Sequence, residues 1–406
     1  MATVGKEELR QLFFRHVCQT SKEPIGLVVK SAAGSFIYTV DGEAYLDFMS
    51  GIAVCNIGHT HPKVVSAIVE QAQKYLHVMV YGEYVLEPQV TLAKRLSELL
   101  PEPLNVVYFT NSGTEANEGA IKVAKKFTRR KKLIAFEGSF HGDTHGSLSV
   151  TGRWVYREPF EPLLPNVVFL PFNDTDALRE IDEQTAAVIV EPIQGEGGIR
   201  IPSERFMKEL RNRCTQVGAL LIFDEVQTGF GRTGRMFAME HFGVVPDIVT
   251  LAKALGGGMP VGAFVGSANV METLSSEPPL SHVTTFGGHP VCCAAALASL
   301  DVIVGERLWE RASTIGEYIL SRLRTLKERS NLISDVRGLG LLIGIEFISA
   351  DAARRFVSES FKRHLILGWT LHSDRVVRVA PPLNVGDEEV EMAMSTMEEA
   401  LRQSEG

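Results

Sequence analysis

Cysteine is scarce. The five residues Cys18, Cys55, Cys214, Cys292 and Cys293 form an odd set without a CxxC, which argues against a disulfide framework or a zinc site. The adjacent pair 292–293 falls in the apolar run VCCAAALASL, where burial is the expected state. No run of about 20 apolar residues is present to span a bilayer. The early acidic residues of MATVGKEELRQLFF interrupt what would be the apolar core of a secretory signal, so cytoplasm is the expected location. Positive charge is in deficit, with 41 Lys and Arg against 49 Asp and Glu, a net charge of −8. Nucleic acid is therefore not an expected partner, although a pocket with local donors can still hold an anion. Internal repeats, low-complexity tracts and Pro- or Gly/Ser-rich linkers are also missing. What remains is 45% hydrophobic and 22% charged over 406 residues, ordinary for a globular chain with length for two or more domains.

The middle of the chain alternates short β-rich runs with helical stretches. Strands are expected at Val106–Thr110, Lys132–Phe136, Val167–Leu170, 187–191, 219–224, 247–251 and 262–265. Several are apolar without alternation, as in strands covered on both faces. That pattern implies an α/β domain with a mostly parallel sheet, and ligands gather at the carboxyl ends of such strands. Around 25–48 the chain reads as a small antiparallel meander turned at Asp41-Gly42. After about 295 come long amphipathic helices and strand candidates at 340–347 and 376–379. The expected division is an N-terminal segment 1–59, a large domain 60–294 and a C-terminal part 295–406, the two ends folding together as a smaller domain.

Four segments carry chemistry. NSGTEAN, 111–117, follows the strand VVYFT, and Ser112 with Glu115 reads as a capping box. The N–H groups of Gly113 and Thr114 then lie at a positive helix end, a cradle for phosphate. Asp224 and Glu225 end an apolar strand, where an acid could be a metal ligand, a general base or the partner of a cationic ring nitrogen. Lys253 stands between an apolar strand and three glycines; it is either a structural lysine or an amine of lowered pKa able to form an imine. Phe140, in SFHG, either stacks on a planar ligand or packs into the core, and His141 beside it reads as an acid–base group or a structural histidine. The stretch GFGRTG, 229–234, matches a dinucleotide fingerprint. Its glycines do not follow the strand directly, however, because the acidic pair and three further residues intervene, so a mobile loop is expected instead. Together the cradle, the aromatic, the acid and the lysine suit a phosphorylated pyridine aldehyde, whose ring withdraws electrons while it stays protonated.

With those residues in place, the chain resembles the class III pyridoxal-phosphate-dependent aminotransferases of fold type I. NSGTEAN, SFHG, EPIQGEGG, DEVQTGFGRTG, LAKALGGG and TTFGGHP occur in that family's order and spacing, and the likeness extends over nearly the whole chain. It is closest in wording to the ornithine, acetylornithine and 4-aminobutyrate aminotransferases. The resemblance implies a large domain with a seven-stranded, mostly parallel sheet and pyridoxal 5'-phosphate as cofactor. Gly113 and Thr114 would bind its phosphate, Phe140 would stack on the ring and Val226 would cover the other face. Asp224 would pair with the ring nitrogen, Gln227 would lie near the 3-hydroxyl, and Lys253 would carry the imine. Thr285 would reach the phosphate of a neighbouring subunit, implying a homodimer with shared sites, and Thr284 would lie on the substrate side. No metal is implied.

For the substrates, Arg378 in VVRVAPPL matches the arginine that grips the α-carboxylate of glutamate or 2-oxoglutarate, a task suited to a planar fork. Glu196 in GEGG matches the glutamate that neutralises this arginine while a terminal amine is processed. One departure stands out. Where the ornithine and acetylornithine enzymes carry an arginine after F-x-G, this chain has Asp143, in the FHGDT wording seen in 7,8-diaminopelargonate synthases. An ω-amino donor and 2-oxoglutarate as acceptor are the expected substrates. The alternatives are a diaminopelargonate-synthase-like reaction, or a decarboxylase or racemase on the same scaffold.

Overall fold

The computed structural model describes residues 5–405; Gly406 and the first four residues of the N-terminal stretch lie outside the described residues. The chain opens with a helix, Lys6–His16, that buries none of its residues. Three strands follow, β1 (Val29–Ala33), β2 (Phe36–Thr39) and β3 (Ala44–Asp47). They pair as an antiparallel meander whose second turn contains Asp41 and Gly42, as the sequence implies. Gly42 has φ +85°, a conformation in which glycine avoids the Cβ clash.

The central sheet comprises β4 (Val106–Thr110), β5 (Lys132–Phe136), β6 (Val167–Leu170), β7 (Thr185–Val190), β8 (Leu220–Asp224), β9 (Ile248–Leu251) and β10 (Gly262–Gly266). Its order is β4-β10-β9-β8-β7-β5-β6. Only β10 runs antiparallel, to β4 and to β9, while the pairs from β9 across to β6 are parallel. All seven expected strands are present, with ends shifted by a residue or two. β7, β8, β9 and β10 are buried at every position, which explains why they read as apolar runs without alternation. Each fully buried Leu, Ile or Phe in this layer contributes roughly 1.5–3 kcal/mol.

Helices cover both faces. Helix Gly113–Thr128 lies so close to β10 that a Cβ at Gly119 would come within 2.1 Å of the Phe264 ring. Helix Pro290–Gly305 is apolar nearly all round and packs against helices Pro62–Lys74 and Glu87–Leu99; Cys292 and Cys293 are buried within it, as expected. A third sheet holds β11 (Ile333–Leu339), β12 (Leu342–Phe347), β14 (Gly368–Thr370) and β15 (Ser373–Val379), in the order β11-β12-β15-β14. The short β13 (Leu365–Ile366) leaves that sheet and pairs parallel with β3, joining the two ends of the chain.

The net negative charge conceals one basic run, 122–132, with seven Lys and Arg residues. Most of it is committed internally. Lys122 bonds His282 Nδ1 at 2.9 Å, Lys126 donates to Ser281 Oγ at 2.9 Å, and Arg130 donates to Val217 O at 2.8 Å. Lys132 pairs with Asp182 at 2.8 Å. These cations tie the helix end to the surrounding loops.

Candidate active site

The carboxyl ends of β4, β5, β7, β8 and β9 converge on a cavity of about 680 Å³. Its lining includes Gly113, Thr114, Phe140, Asp143, Glu196 and Asp224, with Val226, Gln227 and Lys253. Nine residues singled out in the sequence therefore surround one space. Val54, from the N-terminal segment, also reaches it, and sequence reasoning gave it no role.

Helix Gly113–Thr128 begins three residues beyond the end of β4. Ser112 caps it, its Oγ accepting from Glu115 N at 3.3 Å. The reciprocal half of the expected capping box is displaced by one residue: Glu115 Oε2 accepts from the N–H of Asn111 at 2.7 Å, because that N–H and the Asn111 amide both point at the carboxylate. Gly113 and Thr114, as first-turn residues, have N–H groups without a carbonyl four residues back in the helix. They face the cavity with the positive end of the helix behind them. Glycine is required at 113, since a Cβ would meet Val226 at 2.7 Å. It is required at 142 too, where φ is +124° and a Cβ would meet Thr114 Oγ1 at 2.3 Å. Thr114 Oγ1 bonds Thr144 Oγ1 at 2.7 Å, tying the cradle to the loop that carries Phe140 and Asp143.

Asp224 ends β8 at the sheet centre. Its Oδ2 takes bonds from His141 Nδ1 at 2.7 Å and from Asn117 Nδ2 at 2.8 Å, while Oδ1 accepts from Val226 N at 3.0 Å. Asn117 is itself fixed by Thr250 Oγ1, which donates to its Oδ1 at 2.7 Å. His141 is thus neither free in the pocket nor satisfied as a structural residue: its Nε2 is buried without a partner. Sequence reasoning left Asn117 without a role, yet its position one helical turn inside NSGTEAN places it beside Asp224.

Lys253 follows β9 by two residues and adopts φ +47°, which turns its side chain into the cavity at the start of a short 3-10 turn. Burial pushes its amine below the usual lysine range; Glu196 opposes that shift and Arg378 adds to it. Gln227, with its amide oxygen toward the cations, accepts from Lys253 Nζ at 3.2 Å and from Arg378 Nη1 at 3.3 Å.

Arg378, near the end of β15, closes on Glu196 with Nη1 2.5 Å from Oε1, and both are almost wholly buried. Glu196 Oε2 also accepts from Leu371 N at 2.7 Å. Burial alone would raise this carboxyl, but Arg378 and Lys253 outweigh it and hold it at about 2. Deeper in the same turn, Glu191 accepts from Phe140 N and Gly195 N, each at 2.9 Å. Glu191 opens the EPIQGEGG motif, but sequence reasoning gave it no role. It joins the loop bearing Phe140 to the loop bearing Glu196, and burial raises its carboxyl to about 7.

Three expected site residues do not line the cavity of this chain: Arg378, which meets it only through Glu196 and Gln227, and Thr284 and Thr285. Thr284 Oγ1 accepts from Gly287 N at 3.0 Å, and Thr285 is exposed. The expected mobile loop at 229–234, in contrast, is corrected. Phe230, Arg232 and Thr233 are each at most 1% exposed, and the glycines serve close packing: a Cβ at Gly231 would meet Leu383 at 2.8 Å.

The donor set suits a phosphorylated pyridine aldehyde. It offers first-turn N–H groups for an anion, a held carboxylate for a cationic ring nitrogen and an amine of lowered basicity for a carbonyl. Among the described residues there is no group of three or more His, Cys, Asp or Glu side chains able to hold a metal ion, and no helix long and apolar enough to cross a membrane.

Comparison with known proteins agrees. The family description "Aminotransferase class-III" matches residues 17–401. The acetylornithine aminotransferase of Methanopyrus kandleri is 45% identical over 390 residues, covering 96% of this chain and 97% of that one. Its counterpart from Methanothermobacter thermautotrophicus is 43% identical, over 97% of this chain and 98% of that one. Among solved structures, the ornithine aminotransferase of Toxoplasma gondii superposes with a TM-score of 0.92 at 31% identity, covering 100% of this chain and 96% of that one. A further structure of that enzyme is described with partial occupancy of PLP at its active site. The cavity at the carboxyl ends of the strands and these likenesses lead to one statement: the chain belongs to the class III aminotransferases, fold type I transferases that work with pyridoxal phosphate.

Proposed function

We propose that this enzyme moves an amino group from an ω-amino donor of the acetylornithine, ornithine or 4-aminobutyrate kind, or a diamine, to 2-oxoglutarate, giving glutamate. The observation that carries this reading is the buried bridge between Arg378 and Glu196 beside Lys253. A guanidinium fork suits an α-carboxylate, and a carboxylate that covers it gives the same site a second state. With Glu196 over Arg378, the seat is neutral and accepts the uncharged carbon chain of an ω-amine. With Glu196 swung away, Arg378 is free for a dicarboxylate. A decarboxylase or racemase, acting on one substrate, has no need of two states.

The roles proposed for the remaining residues follow from position. Gly113 and Thr114 hold the phosphate, Asp224 keeps the ring nitrogen protonated, and Phe140 and Val226 cover the two faces of the ring. Gln227 lies near the ring hydroxyl. When bound, pyridoxal phosphate supplies an electrophilic carbon and an electron-withdrawing ring. Lys253 Nζ, its basicity lowered by burial, would be suited to take a proton from the substrate carbon and hand it to the aldehyde carbon of the bound cofactor. Asp143 gives the donor side an acid where a carboxylate clamp would need a cation, and so favours a donor whose far end is an amine or another hydrogen-bond donor. We further propose a homodimer. Leu280, Val283 and Phe286 expose large apolar surfaces on the loop that carries Thr284 and Thr285, which supports that loop serving a neighbouring subunit. The division into a large part 60–294 and a smaller part built from 1–59 and 295–406 belongs to the same reading, and the pairing of β13 with β3 supports it.

A donor panel tests the proposal. The purified enzyme is given acetylornithine, ornithine, 4-aminobutyrate, putrescine, lysine and 7,8-diaminopelargonate, each with 2-oxoglutarate or pyruvate. Glutamate formation from one ω-amino donor is expected. Alanine formation with pyruvate alone, or release of carbon dioxide without amino transfer, would overturn it.

A further inference from the structure

GFGRTG contains, at its fourth position, a residue that the reaction as described does not use. Arg232 is fully buried, yet among the described residues it has no carboxylate partner. Its Nη1 donates to Leu341 O at 3.0 Å and Pro381 O at 2.5 Å, and its Nη2 donates to Asn56 Oδ1 at 2.6 Å and Ser50 Oγ at 3.3 Å. Buried charges are ordinarily paired with an opposite charge. Here four neutral acceptors from three distant segments take its place, so the guanidinium acts through the reach and planarity of its fork.

One of those segments leads to the cavity and another leads to Arg378. The first is 50–53, where Ser50, Gly51, Ile52 and Ala53 all have positive φ, at +46°, +63°, +65° and +58°. Successive left-handed residues are unfavourable for any side chain beyond glycine, so this turn persists only because its surroundings hold it. It delivers Val54 to the cavity wall. The other is 380–383, directly after Arg378. Ala380 N donates to Phe48 O at 2.7 Å, Ser50 Oγ to Ala380 O at 2.7 Å, and Leu383 N to Asn56 O at 2.7 Å. Arg232 bonds both sides of this seam.

We propose that Arg232 is a positioning residue: by clamping the left-handed turn 50–53 against 380–383, it sets the place of Arg378 and so tunes acceptance of the 2-oxo acid. The proposal rests on the reading of Arg378 as the carboxylate seat. A lysine at 232 keeps the charge but cannot span four acceptors in one plane. Its loss of register passes along three residues of backbone to Arg378, whereas Lys253, Asp224 and the phosphate cradle lie on other elements and stay in place.

Steady-state kinetics of Arg232→Lys, with 2-oxoglutarate and with an amine donor that lacks a carboxylate, tests this. The expected result is a KM for 2-oxoglutarate raised about tenfold or more, the scale at which small displacements of substrate-holding groups act. The KM for the amine should stay within about twofold, and the cofactor's visible absorbance should be retained. Equal losses on both substrates, or none, would overturn the proposal. Ser50→Gly removes one acceptor while leaving the left-handed turn sterically easy, and should show the same one-sided change at smaller size. Should Arg232→Lys fail to fold, this variant decides alone, and an unchanged KM for 2-oxoglutarate rejects the clamp. Arg378→Ala separates the two levels. If it discriminates between the substrates and the clamp variants do not, the clamp fails alone; if it does not discriminate, the seat itself is wrong and the clamp falls with it.

Discussion

Glu196 covers Arg378 at 2.5 Å in a site that leaves each almost no accessible surface. A pair this buried is costly to break by removing one partner, since the survivor keeps an uncompensated charge. Its pH behaviour follows from the depressed carboxyl. A folded value of about 2, below the ordinary carboxylate range, means that the pair contributes stability above that range and loses it only as pH falls toward 2. Protonation therefore does not open the bridge at working pH; in the proposed exchange a competing carboxylate would. Glu196→Gln should leave Arg378 permanently available, lowering the KM for 2-oxoglutarate while raising the KM for an ω-amine, each by a factor of about ten if close to 1.4 kcal/mol is redistributed. The two KM values moving in the same direction would refute the exchange.

Lys253 is held where its amine has lost basicity through burial. Lys253→Ala should bind cofactor through the remaining contacts but fail to attach it. Borohydride treatment of the parent, followed by denaturation, should leave the pyridine group on the polypeptide, while the same treatment of the variant should release it. Turnover should fall by several orders of magnitude, as expected when a group acting as both nucleophile and proton carrier is lost. Turnover close to the parent's would refute the role.

How far the site could be read from the chain depended on where each signal lay. Asp224, Lys253 and Gly113 stand immediately past apolar strands, and sheets of this type collect ligands there, so local pattern was enough to nominate them. Asn117 and Glu191 were harder because their roles depend on neighbours in space: Asn117 acts through Asp224, 107 residues away, and Glu191 through Phe140, 51 residues away. The seven central strands were legible because burial on both faces leaves an unbroken apolar run. β11 was missed because its burial alternates and includes Asp335 and Arg337, and β13 and β14 because two or three residues carry no period. Arg232 shows the deepest gap, since a lone arginine among glycines reads as a loop until its four acceptors are seen to come from 50–56, 341 and 381.

Asp143 lines the cavity opposite the usual expectation of a cation. Asp143→Arg should raise kcat/KM for donors that carry an α-carboxylate, such as ornithine or acetylornithine, by about tenfold or more, the value of one charge-assisted bidentate contact. It should lower activity with putrescine, whose free ammonium would then face a guanidinium. A variant unchanged toward both donors would place residue 143 outside the path of the substrate.

Glu225 follows Asp224 but turns away from the reaction, into a fully buried pocket. Thr228 Oγ1 donates to it at 2.5 Å, Ala238 N at 3.0 Å and Met239 N at 2.7 Å. Burial still dominates and raises its carboxyl to about 7. The folded protein therefore binds a proton that the unfolded chain has released once pH exceeds the ordinary carboxylate range. Stability conferred by that proton is full below this range, declines as pH rises toward 7, and is gone above it. Glu225→Gln, which keeps an acceptor for the surrounding donors and cannot ionise, should flatten the fall in melting temperature between pH 5 and pH 7. The comparison needs only thermal unfolding of the two proteins across that window. An identical slope for both would show that the three donors keep Glu225 ionised throughout, and that its burial is compensated by hydrogen bonding rather than by a proton.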